Sequence, residues 1–90
     1  MKRIFKYELP VMETQLLTLP KNARVLSVAN QRDNLVLWAA VDPQAKDVES
    51  HLITIGTTGN TLPDVQNADF LGTVLFNNGS FVTHVFHKKV

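Results

Sequence analysis

Three histidines, His51, His84 and His87, are the only side chains expected to titrate near neutral pH, so they are the first candidates for acid–base chemistry. His84 and His87 are three residues apart. In a β-strand this spacing puts them on opposite faces, where they cannot share a metal ion. His84 shares a face with Val82 and Phe86, which is typical of a histidine held by a hydrogen bond within a sheet. The alternative is that His84 or His51 serves as a general base.

Covalent catalysis needs a nucleophile beside a base and a third group that orients the base. The sequence contains no cysteine, and none of its three serines, Ser27, Ser50 and Ser80, lies at a turn between a strand and a helix. Asp42 and Asp47 flank one connection and Asp64 and Asp69 flank another, but neither pair has the spacing of a calcium-binding loop. The sequence therefore predicts a protein that is not an enzyme, with no metal site and no cofactor.

The stretch from Gly56 to Thr61 is the longest run of turn-forming residues and is the predicted functional loop. Backbone N–H groups and hydroxyls in such a loop could bind a phosphate or another polar ligand. The stretch is not a P-loop, because the lysine and the following helix are missing. An ordinary wide turn is the alternative. The candidate binding residues in this loop are Gly56, Thr57, Thr58, Gly59 and Asn60.

Trp38 is the single tryptophan and lies in the most apolar segment, on the same face as Val36 and Ala40. We expect it to anchor the core. The alternative is a stacking platform or a partner-binding surface. His84, like Trp38, is a candidate residue for binding a ligand or partner.

Basic residues lie at both ends of the chain: Lys2, Arg3, Lys6, Lys88 and Lys89. If the terminal strands are neighbours, these five charges converge on one sheet edge. We interpret them as a solvated edge that resists aggregation, since lysine commonly blocks strand edges. The alternative is an anion-binding patch, to which Lys88 would contribute.

Composition indicates one small folded domain over residues 1–90. Hydrophobic residues make up 44% of the chain and charged residues 19%, which excludes a disordered protein, and a net charge of +1 argues against nucleic-acid binding. No secretory signal or membrane span is expected, and the lack of cysteine fits a cytoplasmic protein. Since small domains without disulfides or metals often gain stability by pairing, a homo-oligomer is expected.

Alternation of apolar and polar residues with period two predicts an all-β chain, a small antiparallel β-sandwich or barrel of six to seven strands. Segment 35–41 is apolar on both faces, so we expect a central strand covered on both sides. Residues 32–34 and 77–79 predict hairpin turns, and residues 44–47 could hold a single helical turn. The predicted strands are residues 2–9, 14–19, 24–31, 35–41, 48–57, 70–76 and 80–87.

Six short stretches are spread along nearly the whole chain: Lys6 to Pro10, Leu19 to Val28, Leu37 to Pro43, Ile55 to Thr57, Leu71 to Thr73 and Val82 to Phe86. Together they resemble a family of small bacteriophage and prophage proteins of unknown function. The Thr57-Thr58-Gly59 run is one residue longer than the Gly-Thr-Gly of that family. The resemblance implies a phage accessory protein in the cytoplasm of an infected bacterium, acting by binding.

The leading hypothesis is thus a non-enzymatic protein that binds a host protein, such as a defence factor, and inhibits or redirects it. A second hypothesis is an oligomeric sponge that sequesters a small anionic or nucleotide signalling ligand between copies, through the 56–61 loop and the terminal lysines. A third is a minor structural protein of the virion.

Overall fold

The computed structural model describes residues 1–90 and confirms the all-β prediction: seven strands and one short 3-10 turn, with no α-helix. The structure accordingly contains no helix that is long and apolar enough to cross a membrane. Most predicted strand boundaries agree with the observed ones to within one or two residues. The strands are β1 (Arg3–Leu9), β2 (Thr14–Pro20), β3 (Arg24–Gln31), β4 (Asn34–Val41), β5 (Val48–Thr57), β6 (Asp69–Phe76) and β7 (Phe81–Lys89).

The strands form two antiparallel sheets, one with the order β1-β4-β3 and the other with the order β2-β5-β7-β6. Both sheets contribute aliphatic side chains to one buried cluster, so the chain is a two-layered sandwich. On one side of the sandwich β3 lies against β6, and the Asn30 side chain donates a 2.9 Å hydrogen bond to the carbonyl of Leu75. On the other side, β1 and β2 are the free edges of their sheets.

The centre of the three-stranded sheet is β4, which alternates between two environments. Its residues facing the second sheet are Leu35, Leu37, Ala39 and Val41, all of which belong to the core. On the other face Val36 is also buried, although no third layer covers it. The strand register pairs Val36 with Glu8 and Ala29, and the side chains of Lys6 and Gln31, which lie diagonally on either side of it on the same face, join in a 2.6 Å hydrogen bond. The expectation of a strand covered on both sides is therefore only partly met, because the outer face is open at Trp38 and Ala40, which are half-buried.

Trp38 does not anchor the core, so that expectation is wrong. It shares the outward face with Val36 and Ala40, as predicted, and is only half-buried. Alternation determines which residues share a face but not which face is inside. Here the four aliphatic side chains on the other face of β4 fill the narrow space between the sheets, and the indole is left outside.

Both predicted hairpins are present. Arg32 and Asp33 adopt φ values of 54° and 67°, which suit a tight turn between antiparallel strands, and residues 77–79 form the short 3-10 turn between β6 and β7. The suggested helical turn at residues 44–47 is absent. A single turn takes its place, in which the Ala45 N–H donates to the Asp42 carbonyl at 3.0 Å.

The terminal strands are not neighbours, so the five basic residues do not converge on one sheet edge. β1 is an edge strand of the three-stranded sheet, whereas β7 lies inside the four-stranded sheet. The two chain ends instead approach the turn at Asn22, where Lys2 donates to the Asn22 carbonyl at 3.1 Å and Glu49 accepts from the Asn22 N–H at 2.7 Å. Glu49 also forms a 2.7 Å ion pair with Lys89.

Candidate binding site

One surface pocket is present, with a volume of about 180 Å3. It lies where three parts of the four-stranded sheet meet: the loop after β5, the segment before β2 and the first residue of β7. The pairing of β2 and β7 with opposite sides of β5 brings these parts together. The lining residues are Val11, Met12, Glu13, Ile55, Gly56, Thr57, Asn60, Thr61, Pro63 and Phe81.

The pocket combines one acid with an apolar rim. Glu13 is the only charged residue in the lining. Around it Val11, Met12 and Phe81 are all exposed although they are apolar. An exposed cluster of this kind beside a concave site is typical of a surface that binds a partner.

The loop that forms one wall is held by His84. The Thr58 hydroxyl lies 2.7 Å from Nε2 of His84, and the Thr73 hydroxyl lies 3.0 Å from Nδ1. The Thr58 N–H also donates to the carbonyl of Val82 at 3.0 Å. Both ring nitrogens are thus engaged, as expected for a histidine held within a sheet, and the contacts fix the start of the loop against β7.

Thr58, His84 and Thr73 superficially resemble a nucleophile, a base and an orienting group. Two features separate them from a catalytic set. The group on Nδ1 is a neutral hydroxyl, which does not stabilise an imidazolium as a buried carboxylate does. None of the three residues lines the pocket.

The other two histidines, His51 and His87, contact each other on the inner face of the four-stranded sheet. Nδ1 of His51 and Nε2 of His87 are 2.7 Å apart, and the rings are stacked with centroids separated by 5.0 Å. His51 is 2% exposed, and its Nε2 has no hydrogen-bond partner. Burial lowers the pKa of both rings below the ordinary value. For His51, the carboxylate of Glu49 raises the pKa again in part, and Lys89 lowers it further. For His87, the carboxylate of Asp69 raises the pKa again in part.

No group of three or more His, Cys, Asp or Glu side chains is placed to hold a metal ion, here or elsewhere in the structure. Glu49 is engaged elsewhere: its pKa is lowered first by the hydrogen bond from Lys89 and then by the Asn22 N–H. The pair is best described as a partly buried polar contact at one end of the sandwich.

Comparison with known protein families matches residues 1–90 to a domain of unknown function, DUF7352. The chain belongs to the DUF7352 family. No curated protein and no solved structure matches it. The DUF7352 match covers the whole chain and assigns no activity.

The DUF7352 structure brings together only part of the predicted site. Gly56, Thr57 and Asn60 line the pocket, Thr58 contacts His84 behind it, and Gly59 lies at the tip of the loop.

Two other candidates, Trp38 and Lys88, lie away from the pocket. Trp38 is on the outer face of the other sheet. Lys88 pairs with Leu52 towards the far end of β7, and its ammonium lies 3.4 Å from the carbonyl of Gln66.

Sequence reasoning missed the residues of the pocket that lie outside the loop after β5. The most informative of them are Val11, Met12, Glu13 and Phe81. One local signal was available, because Val11-Met12 follows Pro10, where a strand must end, and two apolar residues in a connection have no core to enter. Phe81 carried no such signal, since it begins a strand that is rich in apolar residues.

Gly59 is required by the backbone of the loop, because it has φ of +90° and an added Cβ would meet no atom within 4 Å. The cost of Gly59→Ala is therefore conformational, with no steric clash. We expect a loss of about 1 kcal/mol in the free energy of unfolding, measured by urea denaturation. Asn60→Ala, at the neighbouring exposed position, is the control and should change stability much less. Equal stability of Gly59→Ala and the parent protein would contradict this account of the loop.

Proposed function

We propose that this DUF7352 domain is a non-catalytic binding module whose ligand is a protein segment, and that the segment inserts a basic side chain into the pocket beside Glu13. The observation that carries the proposal is the composition of the pocket, one carboxylate surrounded by exposed apolar side chains. An arginine or lysine satisfies both parts, since its aliphatic stem packs on apolar surface while its charged end reaches an acid.

The aromatic ring of Phe81 adds to the preference for a cation. It lines the same pocket as Glu13, and a guanidinium or ammonium group over an aromatic face is attracted by the ring. The exposed Val11 and Met12 supply apolar contacts for residues that flank the basic one. Met suits such a role because its flexible thioether adapts to different partners.

An anionic ligand, which the sponge hypothesis requires, fits this pocket less well. Its only charged lining group is Glu13, which repels an anion. Lys88, the basic residue assigned to that hypothesis, is four positions along β7 from His84 and contacts Gln66. The exposed apolar rim also has no role in holding a phosphate.

The absence of catalysis in the proposal is supported by how the histidines are used. His84 has both ring nitrogens engaged by threonine hydroxyls. His51 and His87 contact each other on the inner face of the four-stranded sheet, away from the pocket. None of the three lines the pocket.

The partner we propose is a host factor, such as a defence protein, of a bacterium infected by a phage that encodes this chain. This part of the proposal comes from the resemblance of the sequence to small bacteriophage and prophage proteins. A protein that acts by occupying a host protein needs a contact surface and no catalytic set.

The test is selection of peptides from a random library against the immobilised protein. We expect enriched peptides to carry Arg or Lys flanked by apolar residues, and to lose affinity about tenfold or more on Glu13→Lys, about 1.4 kcal/mol or more. Phe81→Ala should weaken the same peptides. Affinities would be measured by fluorescence anisotropy with labelled peptides.

Glu8→Lys is the matched control, because Glu8 is an exposed residue of β1 outside the pocket and undergoes the same change of charge. It should leave the affinities unchanged. Enrichment of acidic peptides, or peptides that bind Glu13→Lys as well as the parent protein, would rule out the proposed pocket chemistry.

A further inference from the structure

The free edge of β2 is an unusual feature of this sandwich. Of the four edge strands, β3 and β6 lie against each other, which leaves β1 and β2 with open sides. β1 carries the charged residues Arg3, Lys6 and Glu8, the kind of side chain that discourages pairing with another chain. β2 has the sequence TQLLTLP and no charged residue, and its pairing with β5 is continuous, without a bulge.

The hydrogen bonds of β2 show which of its backbone groups face outward. The Ile55 N–H donates to the Glu13 carbonyl at 2.8 Å, and the Lys21 N–H donates to the Asp47 carbonyl at 2.9 Å. Both bonds fit the same antiparallel register, in which odd-numbered residues of β2 form the hydrogen-bonded pairs with β5. The N–H and C=O groups of Thr14, Leu16 and Thr18 therefore point away from β5.

We infer that β2 is the site at which a second copy of this chain adds by antiparallel strand pairing, with Leu16 at the two-fold axis. In this register Leu16 lies opposite Leu16 of the second copy, and Thr14 lies opposite Thr18. The pairing uses all three outward-facing residues and forms about six main-chain hydrogen bonds. A shift by two residues towards the C-terminus would bring in Pro20, which has no N–H to donate.

The side chains in this register match one another. On the outer face the pairs are Leu with Leu and Thr with Thr, and on the inner face Gln15 lies opposite Leu17. Apolar pairs and threonine pairs stabilise antiparallel strands, and no like charges are placed opposite each other. A charged residue at position 16 would lie opposite the same charge of the second copy, and this position is a leucine.

The pairing also accounts for an exposed leucine. The Leu16 side chain is 64% exposed and lies next to half-buried Leu52 in the register of β2 with β5. In the dimer, Leu16 and Leu52 of each copy form one row across the seam, which removes apolar surface from water. The two four-stranded sheets become one continuous sheet, and isologous contact closes the assembly at two copies.

Sedimentation velocity over a range of protein concentrations tests the inference. We expect a dimer for the parent protein and a monomer for Leu16→Lys, which would set two ammonium groups against each other at the axis. Leu75→Lys is the control, since Leu75 is also an exposed leucine on the outer face but lies on β6. It should remain dimeric. A parent protein that sediments as a monomer throughout, or a Leu16→Lys variant that still dimerises, would overturn the inference.

Cross-linking locates the seam independently of variant stability. The chain has no cysteine, so Leu16→Cys introduces a single thiol. Residues opposite each other in a hydrogen-bonded antiparallel pair have Cα atoms about 5.5 Å apart, which is within disulfide range. We expect mild oxidation to convert Leu16→Cys to a covalent dimer at least tenfold faster than Leu75→Cys. Equal rates would contradict the β2 seam. Peptide binding at Glu13 is a separate readout, so either proposal can fail without the other.

Discussion

Replacing Leu37 by Ala is expected to lower the free energy of unfolding by about 3–4 kcal/mol, which places it among the most damaging truncations in the chain. Leu37 is fully buried at the centre of β4, and it faces the second sheet within the aliphatic cluster. Only 16 of the 90 residues are buried, so few neighbours are available to close the resulting cavity. Domains of this size have little stability to lose, which makes the variant largely unfolded at 37 °C.

Urea denaturation followed by circular dichroism measures this effect. If Leu37→Ala has no folded baseline, Leu37→Val should fold and lose about 1 kcal/mol, because it removes less of the side chain. Leu26→Ala is the control: the same atoms are deleted from an exposed residue of β3, and the loss should be small. A Leu37→Ala variant as stable as Leu26→Ala would show that the two sheets do not pack as described.

Much of the fold could be predicted because its signals are local. Alternation over a few residues identified every strand, and turn residues such as Arg32-Asp33 identified the hairpins. The choice of inner face could not be made locally. Trp38 and Leu37 are adjacent, and which of them enters the core depends on how much space the opposite sheet leaves, which the sequence of β4 does not contain.

The candidate site was predicted only in part, because only some of its residues are marked by a local signal. The loop at residues 56–61 is marked by its own composition, and Gly56, Thr57 and Asn60 do line the pocket. Glu13 and Phe81 join them only because β2 and β7 pair with β5 on opposite sides. The contact between His51 and His87 spans 36 positions and depends on the register of β5 with β7, so no spacing rule could reveal it.

The second large effect expected is a loss of stability in mild acid that originates in the histidine pair. Burial lowers the pKa of His51 and of His87 below the ordinary value of 6.5. Between the folded and unfolded pKa values the unfolded chain binds more protons, so stability rises with pH in this window. The contribution is complete above the unfolded pKa and is lost as the pH falls through the folded pKa.

The contact between the rings strengthens this dependence. Nδ1 of His51 and Nε2 of His87 are only 2.7 Å apart, which leaves room for one hydrogen between them. Protonation of both rings would place two hydrogens and two positive charges against each other, so uptake of the second proton is strongly opposed. The pKa of Glu49 is also lowered, so its contribution to stability is likewise lost as the pH falls. This loss occurs at lower pH than that of the histidines, because the ordinary pKa of Glu49 is 4.5. The two effects can therefore be separated by the choice of pH.

We expect the free energy of unfolding to be flat above about pH 7.5 and to fall below about pH 6.5, with a slope of at most about 1.4 kcal/mol per pH unit for each proton taken up. His87→Gln should reduce the slope between about pH 6.5 and 5.5, because one of the two titrating rings is gone. Lys88→Gln, which changes the next residue on the opposite face of β7, is the control and should keep the parent slope. Urea denaturation at half-unit pH intervals measures all three proteins. A flat profile for the parent, or a full slope in His87→Gln, would mean that the buried pair does not set the acid sensitivity of the fold.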